Sequence, residues 1–160
     1  MGKEPITIQG KQKIEAELQH LIRVEREDLK HVIAEARALG DLKENAEYHA
    51  AKEKQSHLEG RIAQLQDIIS RSEVIDIQNI KSNKIVFGAK VKLYDTDKDL
   101  EVSYQIVGLE ESDLKIGKIS YKSPLGIALI GKEVGDTILV QAPKGRIEYE
   151  VLGFSFGQET

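Results

Sequence analysis

GDLKENAEYHAAKE, residues 40–53, separates two long stretches of helical spacing, and its reading decides the fold. Ahead of it, within residues 11–39, Ile14, Leu18, Ile22, Leu29, Ile33 and Ala36 fall on one stripe, with Glu25 as its one polar interruption. Behind it, from about residue 42, Ala51, Leu58, Ile62, Leu65 and Ile69 recur at heptad-like intervals. Gly40 suits the C-terminus of the first helix. Folded back, the stripes match. Ala36 with Ala51, Leu29 with Leu58, Ile22 with Leu65 and Leu18 with Ile69 each give residue numbers adding to 87. A constant total is what an antiparallel pair requires. Arms of about 29 residues make a rod of roughly 43 Å at the α-helical rise. Isolated helices are marginal in water, so mutual burial of the stripe must hold them. A compact bundle is the alternative, but the sequence has no third helix of similar length to complete one.

The turn between the arms carries Asp41 and Glu44, with Glu47 behind them. Asp-x-x-Glu is the spacing of a capping box: Asp41 accepts from a backbone N–H of the new helix and Glu44 reaches back to the N-cap N–H. Carboxylates are also stabilised at a helix N-terminus by its dipole. The functional reading is half of a metal site. Mg²⁺ takes about six oxygen ligands and commonly binds through one or two carboxylates plus water and phosphate. Two carboxylates make no tight autonomous site, so any such site is completed inside another molecule. Arg37 and Lys52 lie nearly level, one turn below the tip, and Lys43 is at the tip. Such cations suit phosphate contact, or they are ordinary helix-surface charge.

After Ser72 the pattern changes. Residues 77–84 read as a linker between a hairpin domain, 1–76 with its tip at about 40–47, and a second domain, 85–160. Short β-type runs follow at Ile85–Phe87, Lys90–Tyr94, Val102–Val107, Lys118–Tyr121, Thr137–Ala142 and Ile147–Phe154. Pro143-Lys144-Gly145 suits a turn that closes the last two into a hairpin. Ser123-Pro124 is a helix start, and a short helix over Leu125–Ile130 ends at Gly131. The fold class is α+β in two domains, the second mostly antiparallel sheet with one short helix.

Composition narrows the function. Charged residues make up 31% of the 160, aromatics 5%, and the net charge is −4. Residues 1–76 carry 12 basic and 15 acidic side chains, so the hairpin half is no more basic than the rest. Autonomous binding to duplex nucleic acid, which needs a strong basic surface, is disfavoured. Cysteine is absent, which removes disulfides and thiolate metal sites. The first residues hold no apolar run of a signal peptide, and no stretch approaches a membrane span. The expectation is a soluble, cytoplasmic protein.

The run ARALGDLKENAEYHAAKEKQ (36–55), followed by LEGRI (58–62), resembles the bacterial transcript cleavage factors of the Gre family, and the GreA type in particular. PITIQGKQKIEAEL (5–18), IVFGAKV (85–91) and SPLGIALIGKEVGD (123–136) extend the resemblance over nearly the whole chain. It implies an N-terminal antiparallel coiled-coil hairpin and an FKBP-like C-terminal domain. It also implies an elongation factor that binds RNA polymerase, inserts its tip through the secondary channel and stimulates Mg-dependent cleavage of backtracked RNA. Such a factor activates the polymerase and is no enzyme itself. Asp41 and Glu44 match the family's catalytic tip acids, which share a Mg²⁺ completed by the polymerase; no cofactor is bound autonomously. Arg37, Lys43 and Lys52 fall in a region that contacts the nascent RNA 3′ end, although Lys52 stands where arginine is common. Ser123, Pro124, Leu125, Gly131 and Lys132 fall on the family's polymerase-docking face, and Gly126 stands where alanine is frequent. The free protein is expected to be monomeric.

Tyr48 reads as packing near the tip and His49 as solvated. Two rival functions are set against cleavage. A paralogous factor that inhibits polymerase would carry an altered tip, and GDLKENAEYH argues against it. A prolyl isomerase or chaperone would need an aromatic-lined pocket. Residues 77–160 hold only Phe87, Phe154, Phe156 and four tyrosines.

Overall fold

The structure is a computed structural model and describes residues 3–41 and 44–157. It divides into two compact units. Lys11–Ser72 forms one, and Met1–Gly10 with Glu73–Thr160 forms the other.

The first unit is a helical hairpin. Its first arm contains α1 (Ile8–His20), a π-helical turn at Leu21–Glu25 and α2 (Arg26–Ala38); its second arm is α3 (Ala46–Arg71). Ile14, Leu18, Leu21, Ile33 and Ala36 of the first arm are buried, as are Ala51, Ile62 and Leu65 of the second. The π-turn explains the one polar residue on the expected stripe. A π-turn bonds i to i+5 and takes up one extra residue. Leu21 therefore turns inward, Ile22 is only half-buried, and Glu25 is carried to the surface. Ion pairs cross between the arms. The Arg26 guanidinium donates twice to Glu59, at 2.9 and 2.7 Å, and Arg61 donates twice to Glu17, at 2.9 and 3.1 Å. Arg26 and Glu59 have numbers adding to 85, two short of the expected register. These pairs are half-exposed, and exposed pairs contribute up to about 1 kcal/mol each. Each fully buried Leu or Ile contributes roughly 1.5–3 kcal/mol. Packing holds the hairpin, and the ion pairs trim its register.

The second unit contains β1 (Glu4–Thr7), β2 (Ser72–Ile75), β3 (Lys90–Asp95), β4 (Leu100–Val107), β5 (Lys118–Ser120), α4 (Pro124–Leu129), β6 (Thr137–Ala142) and β7 (Gly145–Ser155). Five strands form one sheet in the order β5-β4-β3-β7-β6, and β1 pairs with β2. Alternation along the strands sends Val91, Leu93, Ile106, Ile119, Ile138, Val140 and Val151 into one core with Leu129 of α4. The β6–β7 hairpin closes through Pro143 and Lys144, with Ala142 paired to Gly145 at φ 126°. The α+β class, the helical hairpin and the sheet with one short α-helix are as the sequence predicts.

Four details differ. The sheet is mixed, because β4 and β5 run parallel. Ile85–Phe87 is no strand. Ile85 is fully buried, and its backbone is clasped by Lys132 O and Gly131 N at 2.8 and 2.7 Å. Residues 77–84 contain a 3₁₀ turn, Ile77–Asn79, with Ile77 buried, where a linker is expected. Residues 4–7 form a strand of the second unit rather than the lead-in to the hairpin. That strand is anchored by Glu111, whose carboxylate accepts from Thr7 N at 2.9 Å and from the Thr7 hydroxyl. The Thr7 hydroxyl in turn accepts from Gly10 N at 3.0 Å, capping α1. A Cβ at Gly10 would meet the Glu111 carboxyl, so a larger residue there would have to displace the carboxylate from Thr7.

Two outcomes test this account. Replacing Leu65 by Ala should cost the hairpin roughly 2–5 kcal/mol. Hydrogen exchange should show lost protection in α3 while the five-stranded sheet keeps its own. The hydrogen bonds from Arg26 to Glu59 and from Arg61 to Glu17 hold both carboxyls below the ordinary glutamate value of 4.5. A depressed folded pKa means stability that is present above 4.5 and lost as pH falls through the depressed values. Circular dichroism melts from pH 6 down to about pH 3 should show this loss. Glu17→Gln with Glu59→Gln should flatten that part of the profile.

Candidate functional site at the hairpin tip

The tip is built by the end of α2 and the start of α3. The α2 helix closes with Leu39 N and Gly40 N donating to Ala36 O and Arg37 O, and Gly40 takes φ 122°. That left-handed conformation turns the chain out of the helix, and glycine adopts it without steric cost. The α3 helix is capped by Asn45, whose Oδ1 accepts from Tyr48 N at 3.0 Å. Its Nδ2 donates across the hairpin to Ala36 O at 2.5 Å. One amide thus satisfies an orphan N–H of one helix and adds a second donor to a last-turn carbonyl of the other, which Leu39 N also engages.

This corrects the capping-box reading of Asp41 and Glu44. The helix begins at Ala46, so its N-cap is Asn45. Glu44 lies one residue before the cap. Asp41, Glu44 and Glu47 are exposed and line one shallow depression with Leu39, Asn45 and Ala46. The structure therefore brings both sequence-predicted acids to one surface, with Glu47 beside them. Carboxylate oxygens are the donors a hard divalent cation takes. Among the described residues no cluster of three or more acidic or imidazole side chains is arranged to hold a metal.

The basic residues are held locally. The Arg37 guanidinium lies over the Tyr48 ring, 5.9 Å from its centre, in cation–π geometry. Tyr48 also meets the His49 ring edge-on at 5.6 Å. Tyr48 is thus a packing residue of the tip, as the sequence suggests. Lys52 Nζ donates to Gln55 at 2.8 Å. Lys43 lies outside the described residues. Leu39, 67% exposed, went unmarked in the sequence. Its signal there is an apolar residue beside the turn glycine, off the buried stripe.

In the second unit, Ser123 caps α4, its Oγ accepting from Gly126 N at 3.1 Å, and Pro124 follows as the first helical residue. Gly126 is buried close to the Ser120 carbonyl, and the helix forms despite its low propensity. Leu125 packs against the core. Gly131, at φ 90°, and Lys132 engage Ile85 through their backbones. The outward residues here are Ile127, Ile130 and Val134, 65%, 37% and 59% exposed. Helical spacing places Ile127 opposite Leu125 and Leu129, a signal present in the sequence, and Ile130 follows as the extended residue after the helix.

Comparison with known proteins adds the family. Residues 4–74 match the family model described as transcription elongation factor, N-terminal. Residues 80–156 match that of transcription elongation factor, GreA/GreB, C-terminal. The chain is 54% identical to a protein named transcription elongation factor GreA from Acidiphilium cryptum, covering 98% of this chain and all of that one. It is 56% identical to one of the same name from Rhizobium etli, covering 98% and 99%. Among solved structures, GreA factor homolog 1 of Thermus thermophilus is 27% identical over 95% of this chain and 98% of that one. Its TM-score of 0.44 is too low to bear on function.

The Asn45 bridge has a measurable consequence. Asn45→Ala should cost about 1–2 kcal/mol of local stability by loss of the cap. Asn45→Asp keeps the acceptor for Tyr48 N but loses the donor to Ala36 O, and should cost less. Hydrogen exchange of the first α3 amides reads both.

Proposed function

This chain belongs to the GreA/GreB transcription elongation factor family, and we propose that it binds bacterial RNA polymerase and stimulates cleavage of the RNA 3′ end in backtracked complexes. The observation that carries the proposal is the tip. Two exposed acids share one surface there, and Asn45 rather than either acid caps the helix behind them.

Asp41 and Glu44 would hold a Mg²⁺ shared with the polymerase active centre. The donor set fits, since it offers hard oxygens and is too small to hold the ion alone. The ion, when bound, supplies water activation and charge stabilisation in a two-metal displacement. The protein's part is positional. Ala36 and Ala51 allow close approach of the arms below the tip, and Asn45 joins them at its base. Arg37, braced by Tyr48, and Lys52 present cations to RNA phosphates, with Lys43 of the tip loop expected beside them. The face around Ser123, Pro124, Leu125, Gly131 and Lys132 docks on the polymerase. Its contact surface is apolar, through Ile127, Ile130 and Val134. On this reading the chain is an activator, the polymerase owns the catalytic centre, and the setting is the cytoplasm. No helix among the described residues is long and apolar enough to cross a membrane.

The test is a stalled, backtracked elongation complex with Mg²⁺. The wild-type chain should release short 3′ RNA fragments. Asp41→Ala or Glu44→Ala should slow release by at least roughly 10–100-fold, the loss that follows removal of even the outer partners of a metal's ligands. Polymerase binding, measured separately, should be unchanged. Undiminished cleavage with both acids replaced would sink the reading.

A further inference from the structure

On the sheet face opposite the core, Lys90, Gln105 and Lys118 stand side by side. Lys90 pairs with Gln105 across β3 and β4, and Gln105 with Lys118 across β4 and β5. Their strand neighbours Val91, Ile106 and Ile119 are buried in the core. Alternation therefore sends this polar row to the other side. All three are half-buried. They line a cavity of about 200 Å³ together with Thr7, Ile77 and Glu111.

The charge in this cavity is uneven. Glu111 is already engaged by Thr7 N at 2.9 Å, by the Thr7 hydroxyl and by Gly108 N at 3.2 Å. Those bonds tie the N-terminal strand to the 108–111 turn and fix the carboxylate to one wall. Among the described residues neither Lys90 nor Lys118 has a carboxylate within ion-pair distance, whereas Lys92 on the same strand pairs with Glu101 at 3.7 Å. Two strand spacings put the lysine backbones roughly 10 Å apart. Each ammonium rides on a flexible four-carbon stem with three donors. Both can converge on one anion above Gln105, whose Nε2 is turned to Gly88 O at 3.4 Å.

We infer that this cavity binds a small, doubly charged oxyanion of the phosphate class, held between the Lys90 and Lys118 ammonium groups. Two cations match a dianion, and charge-assisted hydrogen bonds to both are the strong kind. The volume lies below the roughly 300 Å³ at which pockets for drug-sized ligands begin. It suits free phosphate or the phosphate group of a small metabolite rather than a polymer. The site is independent of the hairpin tip and of the polymerase reading. Its walls join the N-terminal strand, the turn at Ile77 and three strands of the sheet, so occupancy stabilises the second unit by mass action.

The experiment titrates the full chain with inorganic phosphate at constant ionic strength, following backbone amide shifts by NMR. Saturable shifts should centre on Lys90, Gln105, Lys118 and Thr7. Sulfate should reproduce them, while chloride and acetate should not. Lys90→Gln with Lys118→Gln should weaken binding at least about tenfold, since hydrogen bonds to charged groups are worth that much each. Lys90→Arg with Lys118→Arg, which keeps both charges, should retain it and shows that the fold tolerates change there. Shifts that never saturate, or that survive the double glutamine variant, overturn the assignment. So does saturation of these amides by a short RNA but not by free phosphate.

Discussion

Everything at the tip depends on the buried seam between α2 and α3. Ala36 and Ala51, 2% and 3% exposed, let the arms approach closely just below the turn. Ile62 and Leu65 continue the buried face of α3 further from the turn. The apolar burial in this seam outweighs the crossing ion pairs, which are half-exposed and worth little each. A seam of small residues near the turn has a second effect. It brings the last carbonyls of α2 within reach of the first residues of α3, which is what makes the Asn45 bridge possible.

That bridge divides the labour among the tip side chains. A helix N-terminus leaves N–H groups to satisfy, and an acidic residue is a common way to do it. Here a neutral amide takes the task. The acids of the motif stand around it on an exposed surface and contribute charge rather than capping. The cation–π contact of Arg37 with Tyr48 similarly orders a cation without cancelling its charge.

The hairpin was legible because its signal is periodic and summed over many residues. The antiparallel pairing was readable, although the long crossing side chains depart from the expected total, Arg26 with Glu59 by two and Arg61 with Glu17, beyond the π-turn, by nine. Strands at Lys90, Val102 and Thr137 were legible through alternation, and α4 through Ser123-Pro124 and Gly131. Ile85 was misread because its burial comes from a backbone clasp by residues 131 and 132, which no local pattern encodes. The cap was misassigned for a related reason. Asp41-x-x-Glu44 and Asn45 are both competent starts, and the choice between them rests on a carbonyl nine residues back. The Thr7–Glu111 anchor spans 104 positions and left no trace in spacing. The tip acids themselves were plain in the sequence, and the exposed Ile127 of α4 was there to be read.

The π-turn at Leu21–Glu25 preserves the azimuth of the tip. Each residue of an α-helix advances the chain by about 100° around its axis. The π-turn takes up one extra residue without that rotation, so α2 and the turn after it keep their facing relative to the residues of α1. Removing one residue from the turn would restore continuous α-helix and leave every tip residue chemically intact. The acids would face as they do now, whereas the same extra residue carried in continuous α-helix would swing them by more than a quarter turn against the base of the arm. The aim of the tip is thus a counting property of the chain, encoded some twenty residues upstream of the acids it directs.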